Sequence, residues 1–326
     1  MPSRFFTLAA RIAALLVCCA AGFAAAQTAY PAKPVRVVIP WPPGGANDIA
    51  GRIVSAKLAE SMGQQFPVDN RGGAAGTIGA DFVAKAPSDG YTLMIHSVTH
   101  VGNAHLYKKL PYDTLKDFTP VALLTSQNAV LTVHPSLPVK TVKEFVALAK
   151  SRPGEIVYSS SGNGGIPHLS MALLESMTGI KLIHVPYKGG GPQVIALLSG
   201  ETQASPATTA SVIQHVKSGR LRALGVTPAK RLNALPDVPT IAESGVPGYE
   251  MSAWIGLMAP AGTPKAIVDK LNAEANKALK QPDAAQTLAD QGLDPWIGSQ
   301  EEFAARFRSD YDKYEKLIKL IGARID

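Results

Sequence analysis

The sequence predicts an α/β protein built on mainly parallel sheets. Three observations predict it. An apolar run, a glycine-rich loop and a helical pattern follow one another four times along the chain. The connections within each unit are short, as βα connections in parallel sheets are. The glycine loops recur at the same point of each unit, just past the predicted strand, where α/β sheets bind ligands.

The first unit is VVIPWPPGGANDIAGRIVSAKLAE, residues 37–60. Its apolar run stops at a Pro/Gly loop, and Ile49, Ile53, Val54 and Leu58 then form a buried helical stripe. Asn47 and Asp48 both suit the N-cap, and a helix start presents free N–H groups and the positive end of a dipole to an anion. The second unit runs from Phe66–Asp69 through NRGGAAG (residues 70–76) into a helix over 77–86. Ser97 to Asn103 are expected to form no helix. Val121–Leu124 and Val130–Val133 read as extended chain passing to a second domain, and Leu221–Val226 and Trp254–Ala259 as its return.

The third unit joins Ile156–Tyr158 to SSSGNGG (residues 159–165). Pro167 then falls in a first helical turn, and Leu169, Leu173 and Met177 share a face that ends at Gly179. The fourth joins Leu182–Val185 to Gly189–Gly191 and a helix over Gln193–Ser199. After Pro264 come three amphipathic helices, 266–280, 283–291 and 301–321. Ser299 and Glu302 have the spacing of a capping box for the last.

At the N-terminus, Arg4 and Arg11 flank an apolar run that leads to Ala24–Ala26, the pattern of a secretory signal cleaved after residue 26. An exported mature chain is therefore expected. Both cysteines, Cys18 and Cys19, lie in that signal, so the mature chain would hold no disulfide, thiolate nucleophile or cysteine metal ligand. Removing the signal takes away two of the 32 basic residues and none of the 25 acidic ones, which leaves an excess of five positive charges. Those charges are scattered without aromatic interleaving. That pattern argues against nucleic acid and for attraction of small anions.

The common enzyme motifs are missing: G-x-S-x-G, the P-loop and G-x-G-x-x-G do not occur in the glycine loops. Ser160 or Ser161 with His168 reads as a helix-capping loop rather than a nucleophile and its base. With no helix expected through Ser97–Asn103, His96 and His100 are not placed on one face for a metal. His100 is assigned a hydrogen bond to an anionic ligand instead. What remains is backbone N–H groups and small hydroxyls around glycine loops, equipment that binds a ligand without transforming it. No cofactor and no metal is expected.

These residues sit within a longer ordered series. YPxKP (residues 30–34), PWPPGG (40–45) with Asp48, NRxG (70–73), LYKKLPY (106–112), SSGNG (160–164) with His168, HVPYKG (184–189), GRLRAL (219–224), DVPT (237–240), WxG (254–256) and APAGTP (259–264) occur in that order. Together they resemble the Bug family, the TctC-like extracytoplasmic solute receptors of tripartite tricarboxylate transporters. The resemblance runs from about Tyr30 to the C-terminus. It implies a two-lobed, Venus-flytrap periplasmic binding protein of type II-like topology, whose lobes close over a small carboxylated ligand. The lobe boundaries expected are 27–128 with 229–326 for lobe 1 and 129–228 for lobe 2.

Carried onto this sequence, the resemblance assigns ligand binding to Gly45, Ala46, Asn47 and Asp48, with Ala46 and Asn47 offering backbone donors and Asp48 orienting the helix start. Ser160, Ser161, Gly162, Asn163, Gly164 and His168 complete the grip from the second lobe, and Ser97, Thr99 and His100 line the same cleft. For Trp41 and Tyr187 the sequence leaves open stacking on the ligand or packing in the core, and core packing is the favoured reading. Relatives commonly place bulky residues and an Asp where this chain has QASPATT (203–209). A roomier pocket is therefore expected at Ser205, Ala207, Thr208 and Thr209, suited to a dicarboxylate, tricarboxylate or aromatic acid without a cationic amine. Asp48→Ala and Ser161→Ala are each expected to weaken binding with little loss of fold stability. The implied partners are the membrane subunits of a tripartite transporter, with a two-component sensor kinase as the alternative, and a monomer is expected. An exported enzyme is the least favoured reading.

Overall fold

The computed structural model describes residues 30–322 and Arg324; the expected signal sequence, with Cys18 and Cys19, lies outside these. Pro34–Asp326 forms one compact unit, and both sheets of the protein belong to it.

The apolar runs form two five-stranded sheets. The first has the order β2-β1-β3-β10-β4, from Arg36–Ile39 (β1), Val68–Asn70 (β2), Thr92–Ser97 (β3), Phe118–Ser126 (β4) and Trp254–Pro260 (β10). The second has the order β7-β6-β8-β5-β9, from Ala129–Val133 (β5), Val157–Ser160 (β6), Ile183–Pro186 (β7), Ala204–Thr208 (β8) and Arg222–Val226 (β9). β1 pairs in parallel with β2 and β3, while β10 is antiparallel to both β3 and β4. Likewise β6 is parallel to β7 and β8, and β5 is antiparallel to β8 and β9. Each sheet thus has four strands in one direction and one opposed strand. The opposed strands, β5 and β10, are the ones that enter directly after the chain has crossed between sheets. The protein is therefore α/β and two-lobed, with helices flanking two mixed sheets, in each of which half of the strand pairs are parallel where mainly parallel sheets were expected.

The helices are Ala46–Met62 (α1), Thr77–Ala84 (α2), Thr99–Leu106 (α3), Val142–Ser151 (α4), Ile166–Thr178 (α5), Gly190–Leu198 (α6), Thr209–Lys217 (α7), Lys265–Lys280 (α8), Pro282–Asp290 (α9) and Gln300–Ile321 (α10). α10 begins with the capping box expected at Ser299 and Glu302. Its Phe303 packs edge-on against both Trp254 and Phe307, and Asp310 accepts the Trp254 indole N–H at 2.7 Å. That arrangement fastens the C-terminal helix to β10. Gly256 leaves room for it, since a Cβ there would strike the Phe303 ring.

Two expectations need correction. Residues 99–106 form α3, although Ser97–Asn103 were expected to be free of helix. The segment has two β-branched residues and a glycine in its first four positions, a poor local signal. Burial of Val101 and Leu106 beneath the first sheet overrides it. At α1, the N-cap is Gly45 rather than Asn47 or Asp48, so Asp48 lies inside the first turn.

The two crossovers lie side by side. Gln127 N–H donates to Ala253 O at 2.7 Å, and Thr227 N–H to Ala129 O at 3.0 Å. These bonds hold the hinge region between β4 and β5 against the returning chain.

Candidate functional site

Between the two sheets, beyond the carboxyl ends of the strands, lies a cavity with about 410 Å³ of empty space. Its walls are Trp41, Pro42, Gly45, Ala46, Asn47, Ser97, Thr99, Gln127, Ser161, Ile166, Pro167, Gly190, Gln193 and Thr208. None of these has an ionisable side chain. Helices α1, α3, α5, α6 and α7 each contribute a residue of their first turn or N-cap to the wall. The first N–H groups of a helix have no partner within it, so the five helix starts bring positive dipole ends and N–H donors to the cavity, although the first N–H of α7 is already taken by Asn128 O and Pro167 in α5 has none. Such a surface suits a carboxylate or another small oxyanion.

Asp48 does not line this cavity. It is buried, and its carboxylate accepts Gly44 N–H at 3.1 Å, Arg52 Nε at 3.0 Å and Asn70 Nδ2 at 2.9 Å. Burial opposes ionisation, but these hydrogen bonds and the Arg52 charge together hold its pKa below the ordinary carboxylate value. Asn70 Nδ2 also donates to Trp41 O at 2.9 Å. The network thus ties both ends of the loop 41–45 to α1 and β2. Gly44 lies at φ +88°, a left-handed turn that glycine adopts without penalty.

The second wall is built in the same way. Ser160 Oγ bonds His184 Nε2 at 2.6 Å, and Gly164 N–H donates to His168 Nδ1 at 3.0 Å. The His168 and His184 rings stack at 4.4 Å, and Tyr158 covers the other side of His184 at 4.8 Å. Burial lowers the His168 pKa to about 4 and, with the neighbouring ring, that of His184 to about 3. Both rings are therefore neutral near pH 7 and brace the loop from behind. Ser160, Gly164 and His168 shape the wall; Ser161 is the residue of this group that reaches the cavity. Gly164 closes against Leu106, leaving no space for a Cβ.

Ser97 and Thr99 line the cavity, with Ser97 Oγ donating to Thr99 Oγ1 at 3.2 Å. His100 does not. Its ring is fully buried among Phe118, Tyr112 and Phe307, and desolvation takes its pKa to about 3. In the 203–209 segment, Thr208 alone reaches the wall. Ala207 is in the core behind α6 and α7, Ser205 Oγ donates to Ser159 O at 3.1 Å, and Thr209 bonds Asn128 O through both N–H and Oγ1. The pocket is not widened at these three small residues, because strand pairing and hydroxyl bonds occupy them.

Sequence reasoning gave no ligand role to Pro42, Gln127, Ile166, Pro167, Gly190 or Gln193, and it favoured core packing for Trp41. Trp41 is buried yet forms cavity wall. The signal for Gln127 is the polar TSQN break (125–128) between two apolar strands. Gln193 Nε2 donates to Ser205 Oγ at 2.6 Å, an interaction with no sequence signature.

A second, wider space of about 1400 Å³ opens outward from the cavity and shares Trp41, Pro42 and Ser161 with it. Gly162 and Asn163 line this vestibule, as do Ala74, Ala75, Tyr107, Pro186 and Tyr187. Tyr187 is half-exposed with its hydroxyl on Glu201 at 2.6 Å, so it is a vestibule residue and not a core one.

Comparison with known proteins bears on this geometry. Residues 50–323 match the model of the tripartite tricarboxylate transporter family receptor, TctC. A protein from the tcbD-tcbE intergenic region of Pseudomonas sp. (strain P51) is 42% identical over 291 residues, covering 89% of this chain and 87% of that protein. Among solved structures, R. palustris Rpa4515 with adipate superposes with a TM-score of 0.88 at 36% identity, covering 91% of this chain and all of that one. MatC of Rhodopseudomonas palustris with bound malate gives 0.83 at 33% identity, over 89% of this chain and 100% of that one. No helix among the described residues is long and apolar enough to cross a membrane.

Proposed function

The chain belongs to the tripartite tricarboxylate transporter receptor family, and from that premise we propose that it captures a small carboxylate in the interlobe cavity and delivers it to the membrane subunits of such a transporter. The observation that carries this reading is the meeting of five helix starts at one cavity whose walls hold no ionisable side chain. A carboxylate there accepts hydrogen bonds from backbone N–H groups and hydroxyls, each charged bond contributing on the order of 1.5–3 kcal/mol. Discrimination then falls to shape and to the vestibule. The adipate and malate held by two relatives support an acidic ligand.

The same reading makes the chain an exported, periplasmic protein, matured by cleavage after Ala26. It acts by binding, with closure of one lobe on the other as its working motion. Ser161, Thr99, Asn47 and the helix starts at Ala46 and Gly190 make the grip. Asp48, His168 and His184 hold the gripping loops in place.

Thermal-shift and calorimetric titration of the mature protein against mono-, di- and tricarboxylic acids, aromatic acids, sugars and cations tests the reading. An acid at about 100 times its Kd raises the folding free energy by about 2.7 kcal/mol. Stabilisation by sugars or cations alone would overturn the proposal.

A further inference from the structure

The cleft has two connected compartments of very different size. The inner cavity holds about 410 Å³ of empty space, against about 1400 Å³ in the vestibule. The smaller compartment is the one walled by the helix starts, so it is the seat for a carboxylate head. Trp41, Pro42 and Ser161 border both compartments. A molecule whose head sits at the helix starts must therefore extend past them into the vestibule.

The vestibule offers that extension apolar surfaces. Pro42, Ala74, Tyr107, Pro186 and Tyr187 supply ring, methyl and methylene faces, and the single cation of the lining is Lys188. Ala74 and Ala75 hold φ of +46° and +52°, a left-handed conformation that disfavours any residue with a Cβ. The Asn103 side-chain amide fixes that turn by donating to Ala75 O at 3.0 Å. Methyl-bearing residues are thus kept in the vestibule lining at positions where the backbone would favour glycine.

We infer that the ligand is a carboxylate with an apolar body, an aryl or medium-chain alkyl acid, seated with its head among the helix starts and its body against the vestibule walls. This rests on the carboxylate reading proposed for the cavity and narrows it. A compact trianion fits poorly, because the carboxylates beyond its first would face the apolar vestibule walls, where Lys188 is the one cation among the described lining residues.

Calorimetry of the mature chain with acetate, hexanoate, phenylacetate and citrate tests the inference. Affinity should rise roughly fourfold per methylene from acetate toward hexanoate, because each methylene leaves water for an apolar wall. Phenylacetate should bind at least as tightly as hexanoate, and citrate more weakly than either. Tyr107→Ala, and separately Tyr187→Ala, should lower hexanoate and phenylacetate affinity by about tenfold and leave acetate unchanged. Equal affinity for acetate and hexanoate, or citrate as the tightest ligand, would overturn the inference while leaving the carboxylate reading intact. Absence of binding by every acid would overturn the carboxylate reading, and the inference with it.

Discussion

Asp48 acts on the site from behind. Its carboxylate satisfies Gly44 N–H, Arg52 and Asn70 at once, in a position that is 4% exposed. Removing it leaves those donors without their acceptor and frees the loop that carries Trp41 and Gly45. Asp48→Ala is therefore expected to cost about 1–3 kcal/mol of stability as well as ligand affinity, which revises the expectation of little stability loss. Arg52 is half-exposed, so the ion pair itself contributes the smaller part. Asp48→Asn keeps an acceptor for Gly44 and should lose less. Ser161→Ala differs, because Ser161 is half-exposed and lines both compartments. It should leave the melting temperature unchanged and weaken acid binding by about tenfold or more. Urea unfolding and calorimetry on the three variants separate brace from contact; an unchanged Asp48→Ala midpoint would refute the brace.

The elements divide by whether their signal was local. Strand, glycine loop and helix were legible wherever an apolar period met a turn residue, as at α1, α5 and α6, and Ser299 with Glu302 marked the start of α10 to within a residue. α3 was not legible, because its propensity is poor and tertiary burial makes it. The gripping loops were legible as loops. Which of their side chains turn inward was not, since Ser160 is held by His184, Ser205 is engaged by Gln193 and Ser159, and His100 is held by aromatic rings far off in sequence. The stacked histidines behind the 160–164 loop also carry a pH dependence. Their folded pKa values, about 4 for His168 and about 3 for His184, lie below the ordinary 6.5. Below pH 6.5 the unfolded chain takes up protons that the folded rings refuse. Their contribution is thus fully present above pH 6.5, declines as pH falls, and levels off below about pH 3–4. Protonation of His168 Nδ1 would also remove the acceptor of Gly164 N–H. His184→Gln should flatten the stability slope between pH 6.5 and 4 by up to about 1.4 kcal/mol per pH unit. Parallel slopes for variant and parent in denaturant melts would refute the assignment.

At the scale of the whole molecule, the two lobes meet through glycine and proline backbone on either side of the cavity. Gly189 lies against the Pro42 ring, Gly190 against the Gly45 backbone, and a Cβ on Gly191 would stand 3.7 Å from Pro43 O. These contacts join the loop after β1 to the start of α6, so they form only when the sheets are brought together. An alanine at 191 fits at ordinary contact distance, whereas a longer side chain would meet the Pro43 carbonyl. Gly191 is in the first turn of α6 and is free of the left-handed φ seen at Gly189, so leucine there suits the helix. Gly191→Leu should therefore fold as stably as the parent yet resist closure. Its affinity for acids should fall by tenfold or more, and with ligand in excess its radius of gyration in solution scattering should stay at the ligand-free value. Gly191→Ala should close and bind like the parent. If Gly191→Leu contracts on ligand addition as the parent does, with unaltered affinity, then the glycine and proline contacts do not limit closure.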